Sequence, residues 1–586
     1  MKTIKMLVWF SLLLTQATIA FSQSLVLSKQ TARNTSILIA TDASPACQKA
    51  ANELQKYIKK TISIDIPVVE ARNTSGQIII GQGKFINSYA PEINLAKLNT
   101  DGYTILTKGK DLIIAGGSGK GALFAVYTLL EKYFGCRMYT ANVMKLPQRN
   151  SVTLSSINLT EVPKLVLRDV FYLGAMDSVY SDWHKLIHAR NTYSSFFGIF
   201  AHTGFQIMPP KQYFSAHPEY YSLVNGKRQA SQLDPTNKDV YSIVQGWLNA
   251  KIKNQPQYNF WSVSIEDNGS YCQCEYCQQL IKETKSPGGP AISFANRLAQ
   301  FFPKETISAL AYSYTRNPPQ NIKLAPNLNI MYCPSVKNYV TDYNSPAYAD
   351  MRQQVDGWLN LTKNIFVWDY VIDYGALESI YPNLYCLKPN LQYFIKKGAT
   401  GYFAEGNIFP DGEFAELRAY LLSKLTWDPN VDDDAVITDF LQGYYGPAAP
   451  SLKKYIQLTS QQLTGGPDKL TENMITTYDN LFEQAKSSVK NQPDLLKRVQ
   501  KEKIALEYSA IQFYLKDAEQ NSDQFFANQQ KSAKFNKYMQ DFLSSVQNNG
   551  IRRLIHNENN IPMKQFYMQW KNKMGDIQSK SLLKKK

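Results

Sequence analysis

Between about Lys164 and Pro429 short runs of consecutive apolar residues alternate with stretches in which apolar residues recur every three or four positions. The first pattern marks strands buried on both faces and the second marks helices with one covered side. Strands are predicted at Leu165–Phe171, Tyr193–Phe200, Asn259–Ile265, Ile307–Tyr312, Leu328–Tyr332, Ile365–Val367 and Gly401–Ala404. Helices are predicted at Ala291–Phe302, Ala347–Leu361, Asn390–Lys397 and Glu413–Leu425. Alternation of this kind over such a length predicts an α/β fold, a TIM-like (β/α)8 barrel, for residues 161–430.

The flanks have other rhythms. Residues 24–160 mix short strands at Ser36–Ala40, Gln77–Gly81, Gly102–Thr107 and Asp111–Ala115 with helices at Pro45–Thr61 and Gly121–Tyr133, which predicts a small α/β accessory domain. Its Gly116-Gly-Ser-Gly-Lys-Gly121 turn fits neither a P-loop nor a dinucleotide fingerprint, because Ile114 and Ala122 occupy positions that need glycine. A tight strand-to-helix turn is the expectation. Residues 431–586 carry three-and-four spacing at Asp432–Tyr444, Pro450–Leu463, Glu472–Lys490, Asp494–Asp517 and Phe525–Gln547, predicting a helical bundle.

Polar side chains collect where the central strands end: His202, Glu266, Asp267, Trp368, Asp369 and Glu405. Barrels of this type carry their chemistry at the C-terminal ends of the strands. Hydrolysis of a glycosidic bond needs one protonated carboxyl for the leaving oxygen and one carboxylate to activate water or attack carbon. A partly apolar pocket holding several acids separates their protonation states by desolvation and repulsion. Glu266, Asp267, Asp369 and Glu405 are therefore the catalytic candidates, with Glu266 or Asp267 as acid and Asp369 with Glu405 on the water-activating side. His202, Trp261, Asn268, Trp368 and Tyr370 are candidates for holding a sugar.

Composition narrows the class. The 586 residues are 44% hydrophobic and 12% aromatic, which excludes a disordered chain. Met1 to Gln23 has Lys2 and Lys5 before an apolar run from Met6 to Leu14 and a small-residue site at Ala20-Phe-Ser22, so an export signal and a periplasmic or extracellular location are expected. No later stretch has membrane-spanning length. The formal charge of +16 is dispersed and carries no nucleic-acid motif; a basic surface equally suits acidic polysaccharides. The oligomeric state is not readable.

Seven cysteines leave at least one without an intramolecular partner. Cys272, Cys274 and Cys277 form a C-x-C-x-x-C cluster compatible with buried thiols, a disulfide staple or a structural zinc site, for which Cys333 or Cys386 is the candidate fourth ligand. The hydrolytic chemistry itself requires no cofactor.

Two resemblances sharpen these expectations. Leu123-Phe-Ala-Val-Tyr127, Leu130-Glu131 and Phe134-Gly-Cys136-Arg137-Met-Tyr139 follow a Gly-Gly-Ser turn as in the accessory domain that precedes the barrel of α-glucuronidases and β-hexosaminidases. Further on, Ala201-His202-Thr-Gly-Phe, His217-Pro-Glu219-Tyr, Glu266-Asp267-Asn268-Gly with the cysteine loop, Val367-Trp-Asp-Tyr370, Glu416-Leu-Arg418 and Thr426-Trp-Asp-Pro429 resemble the bacterial family catalogued as domain of unknown function 4838. That family is grouped with the family 67 α-glucuronidases. The resemblance implies that Glu266 or Asp267 matches their acid and that Asp369 and Glu405 match a pair sharing the base role. An exported glycosidase acting on a uronate-bearing or acetamido sugar chain is the expectation; the alternative is a non-catalytic glycan-binding barrel.

Overall fold

A computed structural model describes residues 24–72, 76–190, 195–334, 341–409, 412–464, 466–555 and 563–584. The expected export signal and the first residues of the expected strand Tyr193–Phe200 lie outside this set. The chain divides into two compact units. The first holds residues up to 135 and 146–162; the second holds 136–145 and everything from 163 onward.

The first unit is built on a six-stranded sheet in the order 158–161, 103–108, 111–116, 76–81, 35–38, 68–69. Its inner strand Gly76–Gly81 is buried along its whole length, as the run Ile78-Ile79-Ile80 requires. Helix Pro45–Ile62 starts on Ser44, whose hydroxyl accepts the Cys47 N–H, and stops where Ser63 turns left-handed at φ 59°. The glycine turn is a packing device: a Cβ on Gly121 would lie 2.2 Å from the Gly102 carbonyl oxygen.

The second unit contains a parallel sheet of seven strands: β1 (Leu167–Phe171), β2 (Phe197–Ile199), β3 (Phe260–Ser262), β4 (Thr306–Ala311), β5 (Leu328–Tyr332), β6 (Ile365–Tyr370) and β7 (Gly401–Glu405). They are ordered β1-β7-β6-β5-β4-β3-β2. The sheet is strongly curled. In a flat sheet β2 and β6 would be separated by four strand spacings, roughly 19 Å. Instead the rings of Phe200, just after β2, and Trp368 on β6 stack with centroids 5.4 Å apart, and Phe260 on β3 stacks on Phe366 of β6 at 5.4 Å. One apolar cluster draws on every strand, including Leu167, Phe197, Leu310, Met331, Phe366 and Phe403.

Among the described residues the sheet has seven strands, not the eight of the expected barrel. Between β1 and β2 runs an antiparallel segment instead. Ile187 and Arg168 exchange backbone hydrogen bonds, and the N–H groups of Phe196 and Phe197 donate to the carbonyls of His188 and Ala189. Asp169 on β1 fixes this segment, accepting from the Ala189 N–H at 2.7 Å and bonding His188 Nδ1 at 2.6 Å. The ladder bonds that an eighth strand would make are thus taken up locally.

β3 is also shorter than the apolar run Asn259–Ile265 predicts. Beyond Ser262, hydroxyls replace part of the ladder: Ser264 N–H donates to Thr203 Oγ1 at 3.0 Å and Leu310 N–H to Ser264 Oγ at 3.1 Å. Helices Gly289–Phe301, Ala349–Leu361, Leu384–Lys397 and Ala415–Trp427 accompany the sheet. The chain after 430 forms helices Asp433–Tyr445, Ala449–Gln462, Glu472–Ser488, Pro493–Gln520 and Gln529–Asn549 in the same compact unit. A buried polar knot joins them to the sheet's helices: Glu413 accepts from Tyr455 Oη at 2.6 Å, and Glu502 accepts from Tyr445 Oη and the Phe414 N–H. The hairpin Arg137–Thr140 with Val143–Lys145 belongs to this unit too, its Tyr139 packing against Tyr420 and Phe440. No helix among the described residues is long and apolar enough to cross a membrane.

Candidate active site

Side chains on a strand alternate between faces, and this sorts the acids. Phe366 and Trp368 on β6 and Phe403 on β7 lie in the inner cluster, so Tyr370 and Glu405 share the inner face with them. Glu405 Oε2 accepts the Trp368 indole N–H at 2.6 Å. Burial pushes the Glu405 carboxyl up to about 7; the bonds from Trp368 and Tyr374 offset part of this, and the negative charge of Asp267 adds to it. Glu405 thus holds its proton into the neutral range. Its acidity also registers Asp267, which arrives from the far side of the sheet after β3.

Around Asp267 the chain is tightly specified. Asp267 is exposed and accepts from Tyr312 Oη at 2.9 Å. Burial and this contact push the Tyr312 phenol up to about 12. Neighbouring Glu266 is half-buried, and its Oε1 accepts the Phe205 N–H at 2.7 Å. Burial raises its pKa, opposed by the Phe205 N–H and by His202. His202 Nδ1 donates to the Ile265 carbonyl at 2.6 Å, which holds the imidazole beside Tyr312, 6.0 Å between ring centres. Gln232 grips the turn from below: its Oε1 accepts the Glu266 N–H at 2.8 Å, and its Nε2 donates to the Glu266 carbonyl and to Asn268 Oδ1.

Three expected site residues are placed elsewhere. Asp369 lies one position from Trp368 and Tyr370 and therefore on the opposite face, where it is buried and accepts from Tyr402 Oη at 2.6 Å and from Tyr343 Oη. Tyr343 packs on Phe394 of the outer helix, so Asp369 sits between sheet and helix rather than beside Glu405. Burial pushes its carboxyl up to about 6 despite the two phenols. Trp261 is fully buried, its indole against Gly198 and its Nε1 donating to Glu305. The pattern expected of a sugar platform is here core packing. Asn268 spends its side chain on the turn, with Oδ1 accepting from Gln232 and the Ser270 N–H and Nδ2 donating to Ser231.

The structure therefore brings together Glu266, Asp267, His202, Trp368, Tyr370 and Glu405. It adds Tyr312, Tyr374 and Phe200, which sequence reasoning passed over. Tyr312 follows β4 as His202 follows β2 and ends the predicted run Ile307–Tyr312, so its strand-end position was the available signal. The cysteine cluster also gains a member. Asp234 lies with Cys272, Cys274 and Cys277, their ligand atoms all within 4.8 Å of one another, whereas Cys333 is buried under the electrostatic influence of Glu405 and Asp267. None of the described cysteines is joined to another by a disulfide in this structure.

The fold is glycoside hydrolase-like. Among solved structures, the chain is similar to one described as a family GH115 4-O-methyl-α-glucuronidase with specificity for decorated arabinogalactans, with a TM-score of 0.55 at 12% identity over 90% of this chain and 77% of that one. It is also similar to a structure described as a GH138 enzyme targeting pectin rhamnogalacturonan II, with a TM-score of 0.51 at 12% identity over 92% and 79%. At such identity the likeness is one of fold. Residues 21–129 match the model described as glycosyl hydrolase family 67 N-terminus. Residues 138–457 match the model described as domain of unknown function (DUF4838), and the chain belongs to that family. No curated protein matches it in sequence.

Proposed function

We propose that the protein is an exported glycoside hydrolase that cleaves a glycosidic bond in a uronate-bearing or acetamido saccharide. In this reading the curled sheet is a (β/α)8-type barrel with one strand position taken by the 187–189 segment, and residues 1–23 direct export. Glu405 is the proton donor to the leaving oxygen, the reverse of its expected water-activating role, because burial holds its carboxyl up to about 7. Asp267, assisted by Glu266, is the carboxylate that activates water.

The observation that carries the proposal is the unequal setting of two acids from opposite parts of the sheet. Glu405 is half-buried and held up to about 7, while exposed Asp267 accepts a hydrogen bond from Tyr312. Opposite protonation near neutral pH is what the reaction asks of such a pair. Trp368, stacked on Phe200, and Tyr370 form the aromatic wall, and His202 meets a hydroxyl or a substrate carboxylate. The fold-level likeness to enzymes described as acting on decorated arabinogalactans and pectin supports the substrate class, as does the net charge of +16.

The test is a sugar-release screen on arabinogalactan and pectin oligosaccharides with wild type, Asp267→Asn and Glu405→Gln. Each substitution is expected to lower turnover by about 10²- to 10⁴-fold. Equal turnover in all three removes both residues from the mechanism. Binding of these glycans by wild type with no release from any of them identifies a non-catalytic glycan-binding protein instead.

A further inference from the structure

We propose that Asp234, Cys272, Cys274 and Cys277 form a four-ligand structural site for zinc, with Asp234 the ligand that the cysteine spacing does not reveal. The inference goes beyond the hydrolase reading and stands whether or not the strand-end acids cleave a sugar.

The geometry is that of a small closed cage. A tetrahedral zinc with Zn–S bonds of about 2.3 Å sets its sulfurs roughly 3.8 Å apart. The four ligand atoms already lie within 4.8 Å of one another, so each needs to move by less than about 1 Å to meet one ion. All four residues are buried, and four protein donors fill a tetrahedral shell, which is the form of a structural rather than a catalytic site. Sulfur donors exclude magnesium and calcium, and three thiolates with one carboxylate in a tetrahedral cage favour zinc among divalent ions.

The surroundings already orient the donors. Cys274 is the N-cap of helix Glu275–Thr284 and Cys277 lies in its first turn, where the helix terminus favours negative charge. The Leu223 N–H points at Cys272 Sγ at 3.4 Å, and Thr236 Oγ1 lies 3.4 Å from Cys274 Sγ and 3.5 Å from Cys277 Sγ. Arg228 donates to Asp234 Oδ2 at 2.8 Å; Oδ1 accepts from the Thr236 N–H and Oγ1 and lies on the sulfur side, 3.6 Å from Cys277 Sγ. Such outer partners are what fix ligands around a metal. Zn²⁺ with three thiolates and one carboxylate carries a net charge of −2, which Arg228 reduces to −1; the thiol protons pass to solvent on binding.

The site has a structural consequence for the acids. Gln232, two residues before Asp234, clamps the backbone of Glu266, and Cys272 follows Asp267 by five positions. One ion therefore ties together the two chain segments that hold the β3 end.

Metal analysis of the full-length chain, purified without a metal-affinity tag, tests this. One zinc per chain is expected in wild type and in Cys386→Ser, and well below half in Asp234→Ala and Cys274→Ser. Exchange of cobalt for zinc is expected to give intense thiolate-to-metal charge-transfer absorption and tetrahedral visible bands, a readout that does not require the variants to fold. Chelation is expected to lower the melting temperature, with recovery on adding zinc and none on adding magnesium. Wild type lacking stoichiometric metal, whether with free thiols or with a disulfide inside the cluster by mass analysis, overturns the site. Full zinc content in Asp234→Ala removes Asp234 from it.

Discussion

Trp368 and Glu405, on neighbouring parallel strands, are joined by an indole N–H to carboxylate hydrogen bond of 2.6 Å. The bond favours the ionised carboxylate and so works against the burial that raises its pKa. Trp368→Phe removes the donor while keeping an aromatic ring. The expected outcome is an upward shift of the Glu405 pKa, seen as a basic limb of the pH–rate profile that moves to higher pH. A downward shift or no movement would show that the indole does not tune this acid.

With Glu405 as proton donor, kcat/KM of the wild type is expected to fall as pH rises through about 7, where the carboxyl gives up its proton. A profile that instead climbs through that range assigns Glu405 the role of base. The measurement is initial rates on a released-sugar substrate from pH 5 to 9.

The same burial predicts a stability effect of definite sign. The folded pKa of Glu405 is about 7 against an ordinary 4.5, so the folded state keeps its proton where the unfolded chain has lost it. Stability from this group is fully present below about 4.5 and is lost as pH rises through about 7. Glu502 and Glu507, also raised to about 7 chiefly by burial, act in the same direction. Glu405→Gln cannot ionise, so its melting temperature relative to wild type is expected to be higher at pH 8 than at pH 5. Parallel melting curves at the two pH values would refute this.

Asp369 separates position from chemistry. On the outer face it serves Tyr343 and Tyr402, and Asp369→Ala leaves two buried phenols without their acceptor. A loss of roughly 2–5 kcal/mol is expected, with the pH–rate profile of the remaining folded enzyme unchanged. A turnover loss of 100-fold or more at unaltered stability would return Asp369 to the reaction.

Gly198 and Trp261 test the core reading of the tryptophan. A Cβ on Gly198 would lie 2.4 Å from the Trp261 ring. Gly198→Ala is expected to cost about 1–3 kcal/mol by overpacking, with part recovered in Gly198→Ala combined with Trp261→Phe. Denaturant melts of the single and double variants measure both values, and additive losses would place the clash elsewhere.

Most strands and helices were legible because buried parallel strands read as continuous apolar runs, and Leu328–Tyr332 coincides with its predicted bounds. That same continuity hides facing. A strand such as Ile365–Tyr370, covered on both sides, gives no polar beat to say whether Trp368 or Asp369 points inward, so Asp369 was grouped with Glu405 by order alone. Asp234 was invisible for another reason. It precedes Cys272 by 38 positions and reaches the sulfurs only because the hairpin of Tyr221–Val224 and Lys227–Leu233 folds back beside the cysteine loop.

The short hairpin at Arg137–Lys145 belongs to the second unit although the chain on both sides of it belongs to the first. Its Tyr139 covers Gly443 so closely that no side chain fits between them, and it fills a bed formed with Tyr420 and Phe440. Anyone trimming this polypeptide for expression therefore cannot start at Pro163. A fragment cut there would bare greasy rings and precipitate, so a workable boundary must fall upstream of Cys136.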